Sequence, residues 1–579
     1  MLQQNKRDDG RLFFKLESSL LFCAVAQIQT ANIFLRIFDT FGFEMKVNHR
    51  RILFFFLFYT YITSFSQAPF IQWSKCYGGT LDERANDIIQ TADSGYVVVG
   101  STASIDGDVT GFHGLSDAWV VKIDRDGNIE WQKSLGGNFS EDFSSAIETR
   151  NGNFLLVGAT GSENGDVSGH HGLADTYDVW VVMLNKHGNL MWQKCFGGTS
   201  DESASAIKST SDGDYIIVGG TSSNDSDVSG NHGTNGTNAP LEVWAIKIDS
   251  VGNLKWQKCF GGTNVEDGKD VIEMGNGDFV IAATTYSNDG DVSGNHGLED
   301  WWIFKTDSIG NIKWQKCLGG TEQDYVAALC VSSDNGYIIT GQSRSHDGDV
   351  QDNHKDSLFT FYNNDFLTIK LDSVGNKIWQ KCYGGNYNEM AYDITTTKEG
   401  NYVLTGEVNS WDGDVVGYTH MPVEDYWVVC IDTIGSIVWQ KCLGGNAHDY
   451  PRAVVQTYDR GFIVAGESNS NDGDVIGSHS PVYDFWVVKL LFDSTFLSIQ
   501  PINFDTEIVI YPNPATDQLF IETYGTTVTE INIYNSTGVL VSQLRQQTNS
   551  IDISKLTNGL YIAEIKSKDV SVRKKWTKM

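Results

Sequence analysis

Short apolar runs recur along most of this chain, and they do not alternate with polar residues. Tyr96-Val97-Val98-Val99 is one of them. A strand that is apolar on both sides must be covered on both faces, so each such run predicts a strand held between two layers. The runs belong to a unit that reads as four short strands. In the first unit these cover Ala85 to Thr91, Tyr96 to Gly100, Trp119 to Asp124, and a stretch through Trp131. Gly-Asn turns such as Gly127-Asn128 and Gly252-Asn253 join the last two strands as a hairpin.

The unit occurs seven times. A Trp followed by Gln or Ser, then Lys, usually Cys, and shortly Gly-Gly, lies at Trp73, Trp131, Trp192, Trp256, Trp314, Trp379 and Trp439, at intervals of 58 to 65 residues. In a second register an acid stands two places before a Trp: Asp117/Trp119, Asp178/Trp180, Glu242/Trp244, Asp300/Trp302, Asp425/Trp427 and Asp484/Trp486, with Asp365/Leu367 in the fifth copy. The two registers hold 13 of the 16 tryptophans, which marks the aromatic content as structural. Seven units of four strands predict a seven-bladed β-propeller. An open solenoid is the rival. Strand order separates the two: the last unit has no Trp-Gln-Lys strand after Val487–Leu491, while the chain carries an unpartnered Ile71-Gln72-Trp73-Ser74-Lys75 near its start. The N-terminal strand is expected to complete the seventh blade, which also removes exposed sheet edges. The segment Val121 to Trp131, repeated at Ile246 to Trp256, resembles the tryptophan-docking motif of quinoprotein-type propellers. That resemblance supports the fold and implies no quinone chemistry.

Composition narrows the function. Net charge is −31, which excludes nucleic acid as a main partner because phosphates need clustered Lys and Arg. No uncharged apolar stretch reaches 18 residues, so no membrane-spanning helix is predicted. Around Met45 a basic head (Lys46, Arg50, Arg51), an apolar run from Ile52 to Ile62 and the small residues Ser64 and Ser66 form the three regions of a signal peptide. Translation is expected to start at Met45, with residues 1–44 an upstream over-extension, 45–66 the signal peptide and Gln67 the mature N-terminus. The propeller is then expected over 67–498 and a linker over 499–506. Six cysteines share one position after Trp-Gln-Lys (Cys76, Cys195, Cys259, Cys317, Cys382, Cys442). They read as small buried core residues, because equivalent points on neighbouring blades lie beyond disulfide reach.

From residue 507 the composition changes. Ile508-Val-Ile-Tyr-Pro-Asn-Pro-Ala-Thr-Asp517, then Asn558-Gly559-Leu560-Tyr561, then a basic end from Arg573 to Lys578, resemble in order the C-terminal sorting domain of type IX secretion cargo. The resemblance implies a small immunoglobulin-like β-sandwich over 507–579, recognition by the type IX translocon and sorting machinery, and export to the outer-membrane surface or medium of a Gram-negative bacterium. Attachment to surface lipopolysaccharide after export is also common in that family.

The loop before each Asp-x-Trp strand repeats and is the candidate for metal chemistry. Counted from its first polar residue, it offers oxygens at positions 1, 3, 5 and 12 in three copies: Asp106, Asp108, Thr110 and Asp117; Asn164, Asp166, Ser168 and Asp175; Asp289, Asp291, Ser293 and Asp300. With Gly at position 6 this spacing resembles the calcium loop of EF-hands and of calcium-binding propeller blades, and implies calcium as a ligand. Against it, position 12 is Asp and not Glu, the other copies lose the spacing, and Asp-Gly is a plain turn signal. A His that follows each loop is a hydrogen-bonded anchor or, in a third reading, a zinc ligand. No nucleophile elbow, His-Glu-x-x-His or phosphate loop is present, so no catalytic residue is assigned. The expected function is a non-enzymatic binding or adhesion module for an extracellular glycan or protein. The alternative is a polymer-degrading, glycoside-acting enzyme or its accessory subunit, for which a blade breaking the repeat with unmatched acids or aromatics would speak. The fifth copy, with its insertion Lys355 to Asn364, is the place expected to do so.

Overall fold

Runs of β-branched and aromatic residues bounded by Asp-x-x-Gly-Asn and Asp-Gly turns leave the chain no option but short antiparallel strands. The computed structural model describes residues 4–6, 12–14, 68–173, 176–233, 240–354, 363–420, 422–479, 481–492, 508–511, 515–523, 528–535, 539–544, 550–567 and 571–579. The signal peptide and the linker lie outside the described residues. Within 1–44 the description covers one short antiparallel pair, Gln4–Lys6 with Leu12–Phe14.

Seven four-stranded antiparallel sheets follow. The first blade runs Glu83–Gln90, Tyr96–Thr102, Asp117–Ile123 and Ile129–Leu135, from innermost to outermost strand. The seven innermost strands touch in cyclic order, the last one, Asp449–Gln456, against the first, so the ring is closed. Phe70–Tyr77 is the outermost strand of the seventh blade, antiparallel to Asp484–Leu491, with Cys76 opposite Trp486. The expected closure by the N-terminal strand is therefore the observed one.

Second and third strands are buried almost throughout, as at Asp117–Ile123, and each apolar core lies between two blades. Val97, Val99 and Val120 of the first blade pack on Phe154, Leu156 and Trp180 of the second. Outermost strands are tied across junctions by their tryptophans. Trp131 lies over the turn of the next blade's hairpin and donates its indole N–H to Lys186 O at 3.3 Å. Gly188 in that turn has φ +76°, and a Cβ there would stand 2.7 Å from the Trp131 ring, so only glycine fits. Trp73 repeats the contact on the first blade, donating to Arg125 O at 3.2 Å, and so carries the docking across the closure point. The described cysteines are free, Cys76 to Cys382 of the repeated set buried.

The C-terminal segment folds around its own core. A sheet of Ile508–Tyr511, Gln518–Thr523 and Ser550–Asp552 accompanies a four-stranded sheet of Leu540–Leu544, Val528–Asn535, Gly559–Ser567 and Ser571–Lys578. Leu519 and Ile521 of the first meet Ile533, Ile565 and Trp576 of the second, which makes a β-sandwich. Among the described residues no helix is long and apolar enough to cross a membrane.

Candidate functional site

The loops between second and third strands and those between blades all emerge on one end of the ring. The calcium-loop oxygens lie there, and each serves a different partner. Asp106 accepts from Thr80 N at 2.9 Å, Asp108 from Gly78 N at 3.3 Å, and Thr110 Oγ1 bonds the Gln132 amide. Asp117 is fully buried and accepts from His113 Nδ1 at 2.8 Å and Ser134 Oγ at 2.7 Å. The second loop repeats this: Asn164 accepts from Asn138 N, Asp166 from Gly136 N, and Ser168 Oγ from Gln193. Asp175 lies outside the described residues. In the fourth, Asp289 accepts from Thr263 N at 2.8 Å, Ser293 Oγ from Gln315, Asp300 from His296 Nδ1 at 2.7 Å, and Asp291 stands 3.9 Å from His232 Nε2 of the preceding blade. In the first loop the four oxygens serve as two acceptors on the Gly78–Thr80 turn, one side-chain clasp on Gln132 and one strand-end anchor. Among the described residues no group of three or more His, Cys, Asp or Glu is placed to share a metal ion.

The histidines tie blades together. Each bonds the acid at the start of its own third strand, and five also face the loop carboxylate of the next blade, as His479 Nε2 faces Asp108 at 3.7 Å across the closure. Behind them lies a second acid per blade that the sequence reading missed, four residues after Gly-Gly in every copy: Glu83, Glu141, Glu202, Glu266, Asp324, Glu389 and Asp449. Its carboxylate is buried, accepts from the second Gly N–H (Gly79, 2.8 Å) and, except in the sixth blade where Val408 takes the place, bonds a second-strand hydroxyl (Thr102, 2.7 Å). At Gly319 an added Cβ would sit 2.5 Å from Asp300 Oδ1 and 2.6 Å from Asp324 Oδ2, so the glycine lets two carboxyls from adjacent blades meet. Burial pushes Asp324 up to about 6, Glu202 and Asp425 to about 7 and Glu389 to about 8, the facing acid adding to it for Asp324, Glu202 and Glu389. The regular spacing from Gly-Gly was the available signal.

The axial channel carries a second unforeseen cluster. Lys208 of the third blade reaches into a cavity of ≈ 130 Å³, 3.3 Å from Asp270, with Asp87 and Asp393 around it. Although ringed by protein, 43% of its side chain is reachable by water along the channel. The three aspartates accept from the next blade's inner strand, at Ala146 N, Leu329 N and Val454 N. Asp270 holds Lys208 above the ordinary lysine range, and burial pushes Asp393 up to about 7.

Where the channel opens on the long-loop face, the seven-fold repeat breaks. The residue that ends each second strand but one is Ser101, Ala159, Gly220, Thr284, Gln342, Glu407 and Glu467 in turn, small in the first blades and bulky or charged in the last. The residue before each third strand also differs from blade to blade: Ser116, Tyr177, Leu241, Glu299, Asn364, Glu424 and Tyr483. In the later junctions these groups are paired. Tyr325 and Gln323 bond Glu299; Arg344 bonds Gln323 and Asn364; His448, Tyr450 and Asn409 bond Glu424. Arg452 lies 4.7 Å over the Tyr392 ring and 2.9 Å from Glu467, and Tyr392 donates to Glu407 at 3.0 Å. At the junction of the first two blades the same positions leave a cavity of ≈ 440 Å³. The break expected in the fifth copy is thus distributed over the fourth to seventh blades, and the insertion 355–362 lies outside the described residues.

Residues 509–579 match the family described as secretion system C-terminal sorting domain. A regulatory protein of Caulobacter vibrioides, FlaEY, is 25% identical over 220 residues, covering 35% of this chain and 22% of that protein, so the chain spans about a fifth of that relative. Among solved structures, PorZ, an essential surface component of the type IX secretion system of Porphyromonas gingivalis, is 10% identical with TM-score 0.38, over 87% of this chain and 60% of that one. The Neurospora crassa Pan2 WD40 domain is 10% identical with TM-score 0.41, over 74% and 98%. The sorting-domain match, joined to a closed ring of seven blades, identifies the chain as a β-propeller cargo of the type IX secretion system, exported to the cell surface or the medium.

Proposed function

We propose that the exported propeller is a ligand-binding or adhesion module, and that the mouth of its axial channel on the long-loop face is where it binds. The observation that supports this is the break in symmetry. Positions that are equivalent by register, and that a purely structural ring would fill alike, carry different polar, charged and aromatic groups from blade to blade. A glycan and protein array probed with the purified chain tests the reading, with Arg84→Ala and Tyr450→Ala as rim variants. Binding lost in these but kept when Tyr458→Ala alters the opposite face supports it. Binding indifferent to the rim overturns it.

A second reading, a glycoside-acting enzyme, has one observation in its favour. Glu407 and Glu467 are not part of the repeat, and their surroundings differ: burial pushes Glu407 up to about 7, while Arg452 pairs with Glu467. A carboxyl held protonated by burial, as Glu407 is, suits a general-acid role. Release of reducing ends from polysaccharides, abolished in Glu407→Gln, would establish it; no release by the wild type refutes it.

A further inference from the structure

The cavity at the junction of the first two blades is open, and several polar groups that line it have no protein partner among the described residues. Ser101, Ser116 and Ser140 line it, and among the described residues their hydroxyls make no hydrogen bond. The Arg84 side chain is 60% exposed, and its one ionic partner among the described residues is Glu467 at 3.9 Å through Nε. Asp142 accepts from Ala159 N at 3.2 Å through Oδ1, and Oδ2 has no hydrogen-bond partner among the described residues. Tyr177, 37% exposed, forms part of the wall. At the sixth blade the equivalent position is occupied by Glu424, which bonds His448 and Tyr450. A cavity of ≈ 440 Å³ falls within the size of small-molecule sites.

We infer that this cavity binds a neutral saccharide, one or two sugar units long, with the three serines, Arg84 and Asp142 holding its hydroxyls and the Tyr177 ring against its C–H face. The inference rests on the reading of the rim as a ligand-binding surface. Each sugar hydroxyl donates once and accepts, so it needs a lining that offers both kinds of group. Serines do both, a guanidinium only donates and a carboxylate only accepts. An anion is disfavoured by Asp82 and Asp142 in the same wall and by a net charge of −31. A cation meets Arg84. An apolar ligand would leave the buried polar groups unpaired.

The test uses the full chain and saturation-transfer NMR with glucose, galactose, mannose, N-acetylglucosamine and their disaccharides, with acetate and glycine as charged probes. Ser101→Gln fills the cavity with the residue this chain carries at the same register position in its fifth blade, Gln342. Tyr177→Ala and Asp142→Asn remove wall contacts without filling it. The expected result is binding of at least one neutral sugar, weakened about tenfold or more in Ser101→Gln and in the two wall variants, with unchanged thermal midpoints. If Ser101→Gln does not fold, the wall variants decide. A sugar that binds all three variants as it binds the wild type overturns the cavity assignment while leaving the rim reading intact. Binding of acetate or glycine in place of sugars overturns the saccharide class. No sugar binding together with a blank array overturns both readings.

Discussion

At the scale of single residues, the repeated signature is a set of mutual satisfactions. The Gln of Trp-Gln-Lys recurs with Asp-x-Trp because Gln132 Oε1 accepts from the Trp119 indole at 2.8 Å, as Gln193 does from Trp180. Where the seventh blade takes its outer strand from the N-terminus, Ser74 replaces the Gln and accepts from Trp486 at 2.8 Å. The loop oxygens are engaged in the same way, so the thermal midpoint is expected to be equal in calcium and in chelator. A fall on chelation would establish the calcium loop, since a ligand bound only by the folded state raises stability by mass action. The buried acids give a pH dependence of definite sign. Unfolded, they titrate near the usual carboxyl value of about 4. Folded, burial raises Asp324, Glu202, Asp425 and Glu389 to between about 6 and about 8. Between these limits the folded chain binds more protons than the unfolded one, so stability falls as pH rises. Thermal melts should show the midpoint dropping by several degrees from pH 5 to pH 8.5. Turn aspartates such as Asp307 and Asp372, held below the usual range by backbone amides, act the other way, with stability lost below about pH 4.

At the scale of elements, the outermost strand of each blade is the point of greatest leverage, because it lies at a sheet edge and docks on the next blade. Deleting 70–77 leaves Asp484–Leu491 unpaired, removes the Trp73 contact with the first blade and strips Ser74 from Trp486. The whole ring should lose stability, read as a large drop in the cooperative melting transition; an unchanged melt would mean the blades are held without the closure. Trp180, fully buried between the second blade and the first, should cost about 3–5 kcal/mol as Trp180→Ala, measured by denaturant unfolding. The sixth blade shows how local the docking is. Trp439 packs on Phe462 at 5.4 Å between ring centres, as Trp131 does on Phe154, and adds Phe492 at 6.0 Å.

At the scale of the molecule, the propeller and the C-terminal sandwich have separate cores, with Trp576 and Ile565 in one and the inter-blade clusters in the other. Deletion of 507–579 should therefore leave a propeller with an unchanged melt that is retained in the periplasm, because the sorting signal goes with the sandwich. Fractionation of the truncated chain to the cell surface would contradict this. The rim is also a property of the whole ring. Its chemistry differs from junction to junction, with bonded charged pairs gathered at the later ones, which no blade shows alone.

Read from the sequence, the number of blades, their four strands, the closure by Ile71–Lys75 and the sorting module were all determined, because each follows from local pattern and from the order of strands along the chain. Apolar runs without alternation imply coverage on both faces wherever they occur, and Trp73 without a preceding partner strand implies one at the far end. The candidate site was not legible in the same way. Asp106 to Asp117 have the spacing of one calcium loop, yet a carboxylate's direction depends on which donor is nearest, and those donors are Thr80 and Gly78 of one turn and His113 of the loop itself. The acid pairs at the Gly-Gly turns join residues of adjacent blades, and the His479–Asp108 contact spans the ring closure. The cavity beside Ser101 is a matter of volume left over when small side chains from two blades face each other, and only the packed ring decides where that space falls.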